Sequence, residues 1–143
     1  MQTEPILFPL SAMVILSFAI GIRLLLLRIK ATKTDGLNPN YFLLNRGGKP
    51  PSYLTQTEQH YQNLFELPVL FYLLILTLVV TGSADALQLC LAWCFVVIRI
   101  LHAIIHIGTN RLVWRRNAFL CGVAVLLIAW LDLIGKLLMG VVG

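Results

Sequence analysis

Two sets of polar and ionisable side chains lie inside apolar stretches of this sequence of 143 residues. The sets have the spacings i, i+4, i+7 and i, i+3, i+7, and they are Gln59, Asn63 and Glu66, then Arg99, His102 and His106. Either spacing places its side chains along one stripe of an α-helix. A carboxylate can bind an ammonium group, amides can bind peptide groups, and arginine or histidine can bind carboxylates. The stripes therefore indicate a pocket for a polar, charged ligand.

The same side chains are compatible with two other interpretations. A buried ion pair between Glu66 and Arg99 would fix how two helices pack, because polar side chains hold membrane helices together. His102 and His106, four residues apart, also have the spacing of metal ligands if Glu66 lies nearby. Two histidines without a diagnostic motif do not define a metal centre, and we predict no metal site.

Composition indicates which elements must position these residues. The sequence is 59% hydrophobic and only 12% charged, far from the average of soluble domains. Its apolar residues form four blocks of about 20, long enough to cross a hydrocarbon core of ~30 Å as helices. We predict an all-α, polytopic four-helix bundle with one domain over residues 1–143. The predicted helices cover about 5–29, 54–80, 84–107 and 117–140, and the predicted cytoplasmic loop covers about 30–53.

Several residues predict how these helices begin, bend and pair. Pro68 cannot donate a backbone hydrogen bond, which predicts a kink near Leu64 in the second helix. Ser83 is the predicted cap of the third helix, with Asp85 in its first turn.

Charged residues inside the first and fourth helices need partners or a path to water. Asp132 and Lys136, spaced i, i+4, predict a self-neutralising pair. Arg23 either extends toward the headgroups or faces a ligand.

The net charge of +5 is concentrated after the first helix and between the third and fourth. The positive-inside rule then places these two loops in the cytoplasm and both termini on the other side. The basic excess indicates membrane topology and contact with anionic lipids, and we predict no nucleic-acid partner.

The segments Asn63-Leu64-Phe65-Glu66-Leu67-Pro68 and Arg99-Ile100-Leu101-His102 resemble the MAPEG superfamily, the membrane-associated proteins of eicosanoid and glutathione metabolism. The first segment is most similar to small bacterial members, which implies a bacterial inner membrane. The resemblance further implies a homotrimer embedded in lipid, with glutathione as co-substrate at the subunit interfaces. The implied activity is a glutathione transferase or peroxidase acting on a lipophilic electrophile or a lipid hydroperoxide. A non-catalytic trimeric scaffold or ligand-binding protein is the alternative, and a small transporter receives little support.

The resemblance also implies roles for individual residues. Asn63 and Glu66 match glutathione ligands of the second helix, and Gln59 occupies a position where active members carry arginine. Arg99 matches an arginine of the third helix. The implied glutathione-binding set is completed by His102 and by His106, which stands where active members often carry tyrosine. Arg115 is the implied stabiliser of the glutathione thiolate, with Arg111 and Arg116 as alternatives.

Overall fold

The computed structural model describes the backbone of residues 4–142, which is almost entirely helical. After a 3-10 turn at Glu4–Ile6, the helices are α1 (Leu7–Lys33), α2 (Tyr41–Leu44), α3 (Ser52–Asn63), α4 (Leu67–Thr81), α5 (Ala86–Ile107) and α6 (Leu112–Val142). No strand occurs within that range. Four of its segments are long and apolar enough to cross a membrane: Leu7–Lys33, Ser52–Thr81, Ala86–Ile107 and Leu112–Gly140. The prediction of an all-α fold with four such segments is confirmed.

The last helix begins at Leu112, whereas the sequence analysis placed its start near Asn117. The prediction was wrong here because it began the helix after the basic residues, at the first uninterrupted apolar run. Asn110 adopts a left-handed conformation with φ of 47° and ends the turn after α5. Arg115 and Arg116 consequently belong to the first turns of α6 and not to a loop.

The second apolar segment is broken into two helices between Asn63 and Leu67. Pro68 has no amide hydrogen to donate to the carbonyl of Leu64, so the predicted kink near Leu64 is confirmed. The prediction that the polar stripe continues from Asn63 to Glu66 is wrong, because it assumed an unbroken helix. Glu66 lies in the break and is exposed.

α5 lies at the centre of the bundle and packs against α1, α3 and α6. The main core joins α4 and α5 through Phe71 and Phe95, whose rings stack with centroids 4.7 Å apart. Met13 of α1 and Leu133 of α6 are fully buried in the same cluster. This core fixes the half of the bundle that lies on the far side of the helix break from α3.

The long loop after α1 folds back onto α1 and α3. Leu37 and Tyr41 are buried in a second apolar cluster with Leu54. The guanidinium of Arg28 donates to the carboxylate of Glu58, with Nη2 3.0 Å from Oε1. The loop therefore holds the end of α1 beside the start of α3.

The turn between α4 and α5 carries a compact cluster of charges. Asp85 caps α5, since its Oδ1 accepts a hydrogen bond from the Gln88 amide at 2.9 Å. Lys136 donates to Asp85 at 2.6 Å and to Asp132 at 2.5 Å. The predicted pair of Asp132 and Lys136 is confirmed, and Asp85 is a second partner of Lys136. The predicted cap, Ser83, instead accepts from Thr81, because Asp85 is the residue that directly precedes the first helical turn.

Replacing Asp85 by alanine removes both the cap and one partner of Lys136. We expect Asp85→Ala to lower the free energy of unfolding by about 1 kcal/mol, the usual effect of losing a cap. The hydrogen bond from Lys136, and then that from the Gln88 amide, hold the pKa of Asp85 below its ordinary value. Its contribution is therefore present above an unfolded-state pKa of about 3.9 and is lost as the pH falls through the folded-state pKa.

Thermal unfolding in detergent, measured by circular dichroism, checks both the loss and its decrease on acidification. Ser83→Ala is the matched control, and its unfolding midpoint should equal that of the wild type. Equal losses in the two variants would contradict the assignment of Asp85 as the cap.

Candidate functional site

A cavity of about 540 Å³ opens where α3, α5 and the start of α6 meet. Its volume lies within the range of small-molecule sites. Amide, imidazole, guanidinium and apolar side chains line it: Gln59, Gln62, Asn63, His102, His106, Leu112, Arg115, Arg116 and Phe119. Five residues of the sequence-predicted site are among them, namely Gln59, Asn63, His102, His106 and Arg115. Three separate segments of the sequence thus meet at one cavity.

Arg115 is held in place by the turn that joins α5 to α6. Its Nη1 lies 3.0 Å from Nε2 of His106 and 2.9 Å from Oδ1 of Asn110. Since a guanidinium has only donors, Nε2 of His106 accepts this hydrogen bond. The left-handed Asn110 and the first turn of α6 together direct Arg115 into the cavity. Arg116 also lines the cavity, whereas Arg111 is exposed and does not.

His60 is a member of the site that the sequence analysis missed. It is fully buried on α3, and its ring centroid lies 5.5 Å from that of His102 and 5.3 Å from that of His106. The predicted stripe through Gln59 and Asn63 lies on the neighbouring face of the helix and does not include His60. The useful signal was composition, because these are the only three histidines in the chain.

Arg99 is fully buried and does not line the cavity. Its Nη2 donates to the backbone carbonyl of Asn63 at 3.1 Å, while Nε and Nη1 have no hydrogen-bond partner in the described part of the chain. Asn63 is the last residue of α3, where carbonyl groups carry the negative end of the helix dipole. The arginine is thus anchored by a helix end.

Glu66 does not pair with Arg99. Within residues 5–140, whose side chains the structure describes, no carboxylate oxygen lies within 4.0 Å of the Arg99 guanidinium. Glu66 is exposed at the helix break and, like Arg99, is absent from the lining of the cavity. An ion pair between these residues therefore does not explain how α5 packs against the second apolar segment.

A second cleft, of about 400 Å³, lies between α1 and the end of α5. Its lining is apolar apart from Arg23, and includes Leu16, Ile20 and Ile104. Arg23 is exposed and so has access to this cleft as well as to the surroundings of the bundle. Among residues 5–140, no carboxylate oxygen lies within 4.0 Å of the Arg23 guanidinium.

Comparison with known proteins identifies a family. The sequence model of the MAPEG family matches residues 6–135, well over half of the chain. No curated protein and no solved structure matches the chain significantly. The matched range includes every residue that lines the cavity.

The buried guanidinium of Arg99, which has no salt-bridge partner among residues 5–140, leads to a stability prediction. Replacing an unpaired buried charge by an apolar side chain of similar length should leave the fold equally or more stable. We expect Arg99→Met to keep or raise the midpoint of thermal unfolding in detergent. Arg99→Ala should lower the stability by roughly 2 to 5 kcal/mol, as other large-to-small changes in a core do. A marked fall in the midpoint of Arg99→Met would show that the guanidinium itself stabilises the fold.

Proposed function

The chain belongs to the MAPEG family, and on that premise we propose that it is a glutathione-dependent transferase or peroxidase. It acts on lipophilic electrophiles or lipid hydroperoxides that reach it from the membrane. The observation that carries the proposal is the cavity in which amides, imidazoles and guanidiniums meet beside apolar side chains.

Each part of glutathione has a complementary group in or near this cavity. The amides of Gln59 and Asn63 suit its peptide groups, and the guanidiniums of Arg115 and Arg116 suit its carboxylates. Glu66, exposed just beyond Asn63 at the helix break, is the proposed acceptor for the ammonium group.

The remaining members of the proposed binding set act from the wall of the cavity and from behind it. His102 and His106 contact the ligand from α5. Arg99 supports the site indirectly, because its hydrogen bond holds the carbonyl of Asn63 in position. The apolar side chains of Leu112 and Phe119 leave room for a lipophilic second substrate.

Arg115 is the proposed catalytic residue. A guanidinium beside a thiol favours the thiolate, which is the nucleophile. The sulfur electron pair then forms a carbon–sulfur bond with the electrophile as the leaving group departs. With a hydroperoxide, two glutathione molecules supply two electrons and two protons, and the products are the disulfide, an alcohol and water.

The membrane arrangement completes the proposal. The chain is a multi-pass membrane protein of its family, and we propose the bacterial inner membrane with both termini on the non-cytoplasmic side. In this proposed orientation, which follows the positive-inside rule, Arg115 and Arg116 of the cavity lining are at the cytoplasmic end. We propose a homotrimer because the membrane helices leave large apolar side chains exposed, including Phe18, Leu73 and Leu131. Other copies of the chain and lipid would share these surfaces.

A non-catalytic trimeric scaffold or ligand-binding protein is the second candidate. It is favoured by Gln59, because an amide cannot supply the charge of the arginine at that position in active relatives. It is also favoured by Arg99, which has no exposed surface with which to contact a ligand.

Glutathione binding separates the two candidates. We expect isothermal titration of the protein in detergent, after treatment with a chelator, to detect binding at millimolar glutathione or below. Gln59→Arg should strengthen it by about tenfold, because it adds a charge-assisted hydrogen bond worth roughly 1.5 kcal/mol to a carboxylate. Gln56→Arg, three residues earlier on α3 and outside the cavity lining, is the matched control. Absence of heat at millimolar glutathione would remove the enzyme proposal.

Thiolate formation tests the role of Arg115. We expect Arg115→Ala to reduce the ultraviolet thiolate absorbance of bound glutathione, because the cation that stabilises the anion is gone. Arg111→Ala removes an equal charge from outside the cavity and should leave the absorbance unchanged. An unchanged signal in Arg115→Ala, measured at saturating glutathione, would overturn the assignment.

A further inference from the structure

The geometry points to a metal site: we propose that His60, His102 and His106 bind one divalent transition-metal ion. The ion would be held between α3 and α5 at the inner end of the cavity. This site shares His102 and His106 with the proposed glutathione site, but its formation does not require glutathione.

The first argument is convergence. The chain has three histidines, and all three meet in this cluster although His60 is far from the others in sequence. Each is buried, with 0%, 2% and 1% exposure for His60, His102 and His106. The ring centroids form an almost equilateral triangle with sides of 5.5, 5.3 and 5.6 Å. Simple packing of three polar rings would not require all the histidines of the chain to meet at one point.

The second argument is hydrogen bonding. Both ring nitrogens of His60, both of His102, and Nδ1 of His106 are buried without a hydrogen-bond partner among the side chains and backbone that the structure describes. Buried polar atoms are usually satisfied, and each exception needs an explanation. One cation bound to a nitrogen of each ring would satisfy two of these atoms, and a third if it binds Nδ1 of His106. The ring-to-ring contacts themselves satisfy none of them.

The donor set indicates the class of metal. Imidazole nitrogen suits Zn²⁺, Cu²⁺, Ni²⁺ and Co²⁺, whereas Ca²⁺ and Mg²⁺ need oxygen ligands. The candidate ligand atoms lie within 4.8 Å of one another. Zinc–nitrogen bonds of about 2.0–2.1 Å in a tetrahedral site require the nitrogens to approach to roughly 3.3 Å. Rotation of the rings about their side-chain torsions supplies this approach. His102 and His106 also line the cavity, so the remaining coordination position faces it.

Arg115 competes with the metal for His106. Its Nη1 hydrogen occupies the lone pair of Nε2. If the metal binds Nε2, it takes that lone pair, and if it binds Nδ1, the ring proton moves to Nε2 and faces the guanidinium. Either way the contact between Arg115 and His106 must break. Metal binding would therefore release Arg115 into the cavity, where its charge and that of the metal attract an anion.

Titration of the untagged, chelator-treated protein with Co²⁺ tests the proposal in the absence of glutathione. We expect one ion per chain and the visible ligand-field bands of a four-coordinate site with nitrogen ligands. Electron paramagnetic resonance of the Cu²⁺ form should show coupling to imidazole nitrogens, which only these histidines can supply. No binding, or a copper spectrum without imidazole coupling, would overturn the proposal on wild-type protein alone.

Variants identify the ligands. His60→Ala and His102→Ala should each weaken binding by more than about 100-fold, the upper effect of losing a supporting residue of a metal site. The three cysteines, Cys90, Cys94 and Cys121, are exposed and free. Replacing Cys90 and Cys94 together by serine is the control, and the affinity should not change. Loss of binding in the cysteine variant alone would place the metal at those thiols and overturn the proposal.

Removal of Arg115 should strengthen metal binding, whereas removal of a histidine should weaken it. Arg115→Ala should tighten metal binding by about tenfold or more, since it removes a cation and a hydrogen bond that the metal must displace. Arg111→Ala is again the matched control. A weaker affinity in Arg115→Ala would overturn the proposed competition. Because glutathione is absent, failure of either metal experiment leaves the proposed transferase or peroxidase activity to be judged by its own measurements.

Discussion

The arrangement of the site depends on the hydrogen bond from Arg99 to the carbonyl of Asn63. Pro68 interrupts the ladder of backbone hydrogen bonds in the second apolar segment, and α3 ends at Asn63. The guanidinium of Arg99, on α5, donates a hydrogen bond to the carbonyl of Asn63. A charge inside a membrane helix costs roughly 2.5 to 3.5 kcal/mol on insertion scales, and this contact offsets part of that cost. The contact joins α3 to α5, the two helices that carry His60 and His102.

Much of the fold could be predicted because its signals are local. Apolar length identified the four membrane segments, the missing amide of Pro68 identified the break, and the i, i+4 spacing identified the pair of Asp132 and Lys136. Each of these rests on covalent structure or on neighbours along one helix. The start of α6 was missed for the complementary reason, since charged residues continue a helix as readily as apolar ones once the preceding turn is set by Asn110.

The site was predictable only in part because it depends on contacts between helices. Gln59, Asn63, His102, His106 and Arg115 could be selected from spacing and family resemblance, and they do line one cavity. Glu66 was assigned to their stripe as though α3 continued, although the break changes the direction of its side chain. His60 could not be selected from its own helix face, because its partners are supplied by α5. The break in the helix thus misplaced Glu66, and contacts between two helices concealed His60.

The two ends of the bundle differ in stiffness. At the turn between α4 and α5, Lys136 joins Asp85 to Asp132, and the nearby core stacks Phe71 on Phe95. Toward the cavity, the i to i−4 ladder is interrupted between α3 and α4, where the amides of Leu64 and Phe65 reach back only three residues. Bending is easiest where that ladder is interrupted. The break adjoins Asn63, which ends α3 and lines the cavity, so bending at this point would move that wall and change the width of the cavity.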